Sequence, residues 1–522
     1  MERGRGPRPD RVLMARLWAR AGVSLLLTAA LGACGAADQA DDPLSEAESS
    51  AVAADAATLT AAPRTSPPGE APEEPAELVE EKPDGTRAEA DTDQAEVAPT
   101  PEGTGERPRF TRPDSIKGIY VNAWAAGSRR RMDALLELAR NTEINTFVVD
   151  IKDVTGHISH RSSVPLAKES GALNELRIRD LPGLLRRLDD EGIYPIARIV
   201  IVKDSVLAHA RPELAIQDTA GGLWYDSKGV TWLNLHQRGV WDHHADLAEE
   251  VARMGFPEIQ WDYVRFPDSR PSDMARAHFP GGDTEERTDA VRGFLEYAGE
   301  RLDALDLDIH MTADVFGVAT SFPRVAGIGQ EWEKIIDRVD AAHPMIYPSH
   351  YGAGSHGFDQ PNAYPYEIVL AALEYARRRN DAMEVAGDVR PWLQDFTMGS
   401  PRYEAPEVRA QIQATYDAGY SGWILWNPST RYSEGALRPV GGFDEEPRVR
   451  VAGEIVPVSE RQAVIERVAA REQAVADSLA RVSEEAERAA AEAAAAEARG
   501  VVLPPDTISG SRVPPSQLDG AN

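Results

Sequence analysis

The spacing of hydrophobic positions along this chain switches repeatedly between two periods. Between Ile116 and Pro439, eight short runs rich in Val, Ile and aromatic residues alternate with longer stretches whose apolar positions recur every three or four residues. The runs are Ile116–Ala125, Ile144–Asp153, Ile193–Val202, Glu258–Pro267, Asp308–Gly317, Ala341–His350, Arg390–Thr397 and Tyr420–Pro428. Between them lie Arg130–Arg140, Leu181–Glu191, Trp241–Met254, Thr288–Leu305, Glu331–Val339, Tyr366–Arg378 and Glu404–Ala418, each spaced for a helix with one apolar stripe. Eight strand–helix units of this length predict an α/β chain folded as a (β/α)8 TIM barrel over residues 113–440. An open doubly wound sheet is the alternative. It calls for a Gly-rich phosphate turn after the first strand, and Val121–Gly127 reads V-N-A-W-A-A-G instead.

The flanks have a different texture. Residues 441–458 hold a short strand-like piece, and residues 459–499 are dominated by Ala, Glu and Arg with no Gly or Pro, which predicts one long solvated helix. Residues 500–522 read as a disordered tail. Ahead of the barrel, residues 35–112 read as a disordered acidic linker: positions 35–106 carry 19 acidic and three basic residues and no Trp, Tyr or Phe. Such a segment cannot bury enough apolar surface to offset its chain entropy, and its expected role is a tether. It holds over half of the net charge of −29, a balance that argues against nucleic acid as a partner.

The chain has one cysteine, so it has no internal disulfide, cysteine zinc site or iron–sulfur cluster of its own. Cys34 closes an apolar run preceded by Arg16 and Arg20 that is too short to span a bilayer, so residues 1–34 read as a secretory signal peptide. Leu31-Gly-Ala-Cys34 resembles the lipobox of bacterial lipoproteins, which implies a lipidated Cys34 and a protein anchored in the cell envelope, by the sorting rule in the outer membrane, facing the periplasm or the surface.

Catalytic groups of such a barrel project from the C-terminal ends of its strands. The fourth run, Glu258-Ile-Gln-Trp-Asp262, and the fifth, His310-Met-Thr-Ala-Asp314, each carry an aspartate that is costly to bury unless paired or used. Two carboxyl groups on adjacent strands suit hydrolysis of a glycosidic bond, one protonating the leaving oxygen and the other attacking the anomeric carbon or activating water. Asp395, on the seventh run, gives a second pairing, with Asp262 as the acid and Asp395 as the nucleophile. Asp150, Asp153, Trp124, Arg265, Tyr347, His350 and Trp426 are the candidate substrate-binding residues, aromatic faces for sugar rings and polar groups for hydroxyls.

Phe147-Val-Val-Asp150-Ile-Lys152-Asp153, Gln260-Trp-Asp262-Tyr-Val-Arg265-Phe-Pro267, Thr312-Ala-Asp314-Val-Phe-Gly317 and Pro344-Met-Ile-Tyr347-Pro-Ser-His350-Tyr351 resemble the bacterial putative glycosyl hydrolase domain, a family largely of unknown function related to α-amylase-type barrels. The likeness runs from Ile116 to Asn427 and implies Asp262 as nucleophile. Where the amylase acid is a glutamate on the fifth strand, this chain has Asp314, one methylene shorter. The resemblance implies a carbohydrate substrate; no cofactor or metal is expected.

Two other classes compete. A non-catalytic glycan-binding lipoprotein would use the same barrel with Asp262 as a hydroxyl acceptor. A metal-dependent deacetylase or amidohydrolase would need a ligand set; His157 and His160 lie three apart, but there is no H-x-H in the first run and no H-E-x-x-H anywhere. A serine nucleophile is disfavoured, because no G-x-S-x-G elbow occurs.

Overall fold

The computed structural model describes residues 108–322 and 324–498. The expected signal peptide, the expected lipidation of Cys34, nearly all of the expected acidic linker and the expected tail after residue 499 lie outside the described residues. Among the described residues no helix is long and apolar enough to cross a membrane.

Each predicted run forms a strand: β1 Lys117–Val121, β2 Thr146–Lys152, β3 Tyr194–Val200, β4 Glu258–Asp262, β5 His310–Phe316, β6 Ala341–Ile346, β7 Trp392–Gln394 and β8 Trp423–Trp426. All eight pair parallel with their sequence neighbours, and β8 pairs with β1 to close the (β/α)8 barrel. The helices α1 Arg129–Asn141, α2 Leu181–Asp190, α3 Arg238–Met254, α4 Arg287–Asp303, α5 Trp332–Ile336, α6 Pro365–Asn380 and α7 Ala405–Asp417 follow the predicted spans closely. Several start on side chains that satisfy free N–H groups: Ser128 accepts from Arg131, Asp180 from Gly183, and Glu404 and Glu407 form a reciprocal box at α7.

The strands end earlier than the sequence runs do, because the last residues of each run turn into loops at the barrel mouth. At β4 the cause is local. Tyr263 sits at φ 52°, a left-handed conformation that breaks the in–out alternation directly after Asp262. On β2 the register shifts between Asp150 and Lys152. A regular strand would place both on one face; here Asp150 turns to the barrel axis while Lys152 forms a buried ion pair with Asp204 at 2.8 Å.

Inside the barrel, Tyr120, Val148, Ile196, Tyr347, Trp392 and Ile424 pack as one apolar cluster. Nearer the N-terminal end, Glu258 of β4 accepts from Arg390 at 2.8 Å and from the Tyr194 hydroxyl at 3.3 Å.

After the barrel the chain forms a hairpin, β9 Arg448–Val451 and β10 Glu454–Pro457, packed on α7. Val449 and Val451 are fully buried there, and Arg450 reaches Glu407 at 2.7 Å. The predicted long helix is α8, Arg461–Ala498, and its Val475, Leu479 and Val482 are exposed.

Candidate active site

Four charged side chains from four consecutive strands meet inside the C-terminal mouth: Asp150 of β2, Arg198 of β3, Asp262 of β4 and Asp314 of β5. They share a phase because register pairs Asp150 with Arg198 and Val200 with Asp262, so alternate positions face the axis. Arg198 is the hub. It donates from Nη1 to Asp150 Oδ1 at 2.5 Å, and from Nε and Nη2 to Asp262 Oδ2 at 2.9 and 2.5 Å. Its Nε lies 4.0 Å from Asp314 Oδ2.

The remaining oxygens are held too. Tyr120 donates its hydroxyl to Asp150 Oδ2, the backbone N–H of Tyr263 donates to Asp262 Oδ1 at 2.6 Å, and Trp392 Nε1 donates to Asp314 Oδ1 at 2.7 Å. Of the carboxyl oxygens in this cluster, only Asp314 Oδ2 has no hydrogen-bond partner among the described residues. All four side chains are nearly sealed, Asp262 at 6% exposure and Asp314 at 1%. One guanidinium cannot neutralise three buried carboxylates. Burial, then the negative charge of Asp262, hold the Asp314 carboxyl well above the usual carboxylate range, while Arg198 opposes that rise.

Aromatic rings floor this cluster. Tyr120 stacks on Trp426 with centroids 4.0 Å apart, and Trp392 stands edge-on to Trp426 at 5.4 Å. The Arg198 guanidinium lies over both stacked rings, 5.5 Å from Tyr120 and 5.1 Å from Trp426. Tyr347 packs against His350 at 5.3 Å, and burial followed by the charges of Asp314 and Asp262 pushes its phenol upward. His350 meets Ser349 Oγ at 3.1 Å.

The other predicted residues go elsewhere. Asp395 does not join the carboxyl cluster: both its oxygens accept from Ser433, from Oγ at 2.7 Å and from N–H at 2.8 Å. It stands one residue out of phase with Gln394 and three from Trp392, so it faces the loop that carries Ser433 rather than Asp262. Burial pushes its carboxyl up to about 6. Asp153, one residue beyond β2, pairs with Arg177, and Arg177 lies 5.0 Å over the half-exposed Trp124 ring. Arg265 holds no carboxylate among the described residues. Its guanidinium rests among Tyr263, Phe316 and Trp232 at 4.7, 4.5 and 5.2 Å and donates to the Phe266 carbonyl at 3.0 Å.

His157 and His160 diverge, His157 to Thr155 and His160 to Glu250 at 3.1 Å. Among the described residues no three His, Cys, Asp or Glu side chains are grouped to hold a metal ion. Arg198 is the site residue the sequence reading missed. Its signal was present: a lone arginine inside Tyr-Pro-Ile-Ala-Arg-Ile-Val is as costly to bury as the two aspartates that drew attention.

A family model described as "Putative glycosyl hydrolase domain" matches residues 118–432. Among solved structures, a hypothetical protein from Ruminiclostridium thermocellum is 35% identical over 38% of this chain and 97% of its own, with a TM-score of 0.34. An α-galactosidase from Thermus thermophilus is 14% identical over 68% of each chain, TM-score 0.38. An α-L-fucosidase from Paenibacillus thiaminolyticus is 14% identical over 62% of this chain and 47% of its own, TM-score 0.40. No curated protein matches.

Proposed function

This chain belongs to the putative glycosyl hydrolase domain family, and from that premise we propose that it hydrolyses glycosidic bonds with two carboxyl groups, Asp314 as proton donor and Asp262 as its anionic partner. The observation that carries this reading is the shared cluster: two aspartates from adjacent strands, one held toward its protonated form by burial and by the charge of the other, with Arg198 supplying counter-charge to Asp262. The proton on Asp314 passes to the glycosidic oxygen as its bond to the anomeric carbon breaks. Asp262 either bonds to that carbon or takes a proton from the water that does. Arg198 fixes Asp262 and Asp150 in place, and the half-buried Trp426 offers a ring face for the sugar.

The test is product analysis on a broad glycan panel with the parent protein, Asp262→Asn and Asp314→Asn. Each substitution is expected to lower turnover by about 10²–10⁴-fold while glycan binding persists. Unchanged turnover in Asp262→Asn overturns the assignment. The near-complete burial of both carboxyls favours one other reading, a glycan-binding barrel in which the cluster is structural. Glycan binding without turnover by the parent would select it.

The lipobox-like Leu31–Cys34 supports anchoring of this hydrolase in the cell envelope through a lipidated Cys34. Cys34→Ser is expected to move the protein from the membrane fraction to the soluble fraction; an unchanged distribution counts against it.

A further inference from the structure

A hollow opens beside the mouth, apart from the carboxyl cluster. It is a cleft of about 590 Å³ between the turn after β1 and the segment leading into α2. Its lining is unlike the rest of the chain. In a protein of net charge −29, four arginines line it, Arg129, Arg177, Arg179 and Arg187, against one acidic residue, Asp180. Asp180 is occupied as the N-cap of α2, accepting from Gly183 at 2.8 Å.

Two of the arginines are spoken for. Arg187 pairs with Asp133, and Arg177 pairs with Asp153 and Glu175. Arg129 and Arg179 are exposed and make no ion pair among the described residues. Arg177, its guanidinium already paired, lies 5.0 Å over the Trp124 ring and backs that ring at the cleft wall. Trp124, 42% exposed, presents its ring to the same cleft.

The walls are joined tightly. A Cβ on Gly127 would lie 1.8 Å from the Arg177 carbonyl oxygen, so only glycine lets the two segments touch. The two backbone segments that wall the cleft are therefore fixed against each other.

A flat apolar ring that lines one cleft with two unpaired guanidinium groups, Arg129 and Arg179, matches a pyranose that carries a carboxylate: its C–H face stacks and its anion pairs. We propose that this cleft is an outer subsite for a uronate unit, making the substrate an acidic polysaccharide. The inference rests on the hydrolase reading for the saccharide and on the cleft for its charge.

The experiment uses full-length Asp262→Asn protein and calorimetry against hexamers of galacturonate, glucuronate and mannuronate, with a neutral glucan hexamer as control. At least one uronate hexamer is expected to bind about tenfold tighter than the neutral one, less so as salt rises. The double change Arg129→Gln with Arg179→Gln, and separately Trp124→Ala, are each expected to weaken that binding about tenfold. No uronate binding, equal affinity for neutral and acidic hexamers, or affinity unmoved by both variants overturns the proposal. Uronate binding lost in the cleft variants while the parent cleaves no glycan keeps the cleft and removes the hydrolase. Turnover with uronate binding untouched by the variants does the reverse.

Discussion

Asp314 makes the proposed chemistry measurable without a substrate. Its folded carboxyl holds a proton well above the value of a free aspartate, about 3.9. Between those two values the native state keeps a proton that the unfolded chain has released, so this group's contribution to stability falls as pH rises through the window. Asp314→Asn removes that dependence and keeps an acceptor for Trp392. Relative to the parent, its urea midpoint is expected to climb as pH is raised from about 4 to about 8; a pH-independent difference contradicts the protonated assignment. Asp395 gives the complementary case. Its contacts are with Ser433, so Asp395→Asn is expected to retain parental turnover on any glycan the protein cleaves, and a loss comparable to that of Asp262→Asn would restore the second pairing. Asp262 and Asp314 were legible in the sequence because each interrupts an apolar run in the inward phase. Asp395 misled because β7 has only three residues, too few for alternation to reveal which way the next side chain turns.

At the level of elements, period alone located the strands and most helices, since a barrel demands the same alternation eight times. Their ends were hidden, because what stops β4 is a left-handed Tyr263 and what shifts β2 is a bulge, neither of which has a compositional signature. The hairpin after the barrel follows the period-two rule more plainly: Arg448 and Arg450 alternate with Val449 and Val451, and the valines face α7. Replacing both valines with alanine is expected to cost about 2–4 kcal/mol in urea unfolding, since each is fully buried. A change within error would mean that the hairpin contributes nothing to the barrel's stability.

Across the whole molecule, polarity is distributed unevenly, and much of the function proposed here depends on that. The interior holds the Arg390–Glu258 pair toward one end and the Arg198 cluster at the other, with an apolar layer between them. Outside, positive charge gathers in the cleft beside Trp124 although the chain as a whole is strongly acidic. Neither arrangement could be read from net charge, which adds groups that never meet. The inner cluster has a further consequence. Because one guanidinium serves two aspartates and borders a third, these four positions cannot drift independently. Arg198→Met would strand several anions at once, at a cost of about 3–5 kcal/mol, whereas the same change combined with Asp150→Asn and Asp262→Asn should recover part of that loss. Any descendant of this barrel that abandons the arginine must therefore abandon its carboxylates with it, and the quartet will be inherited or lost as a block.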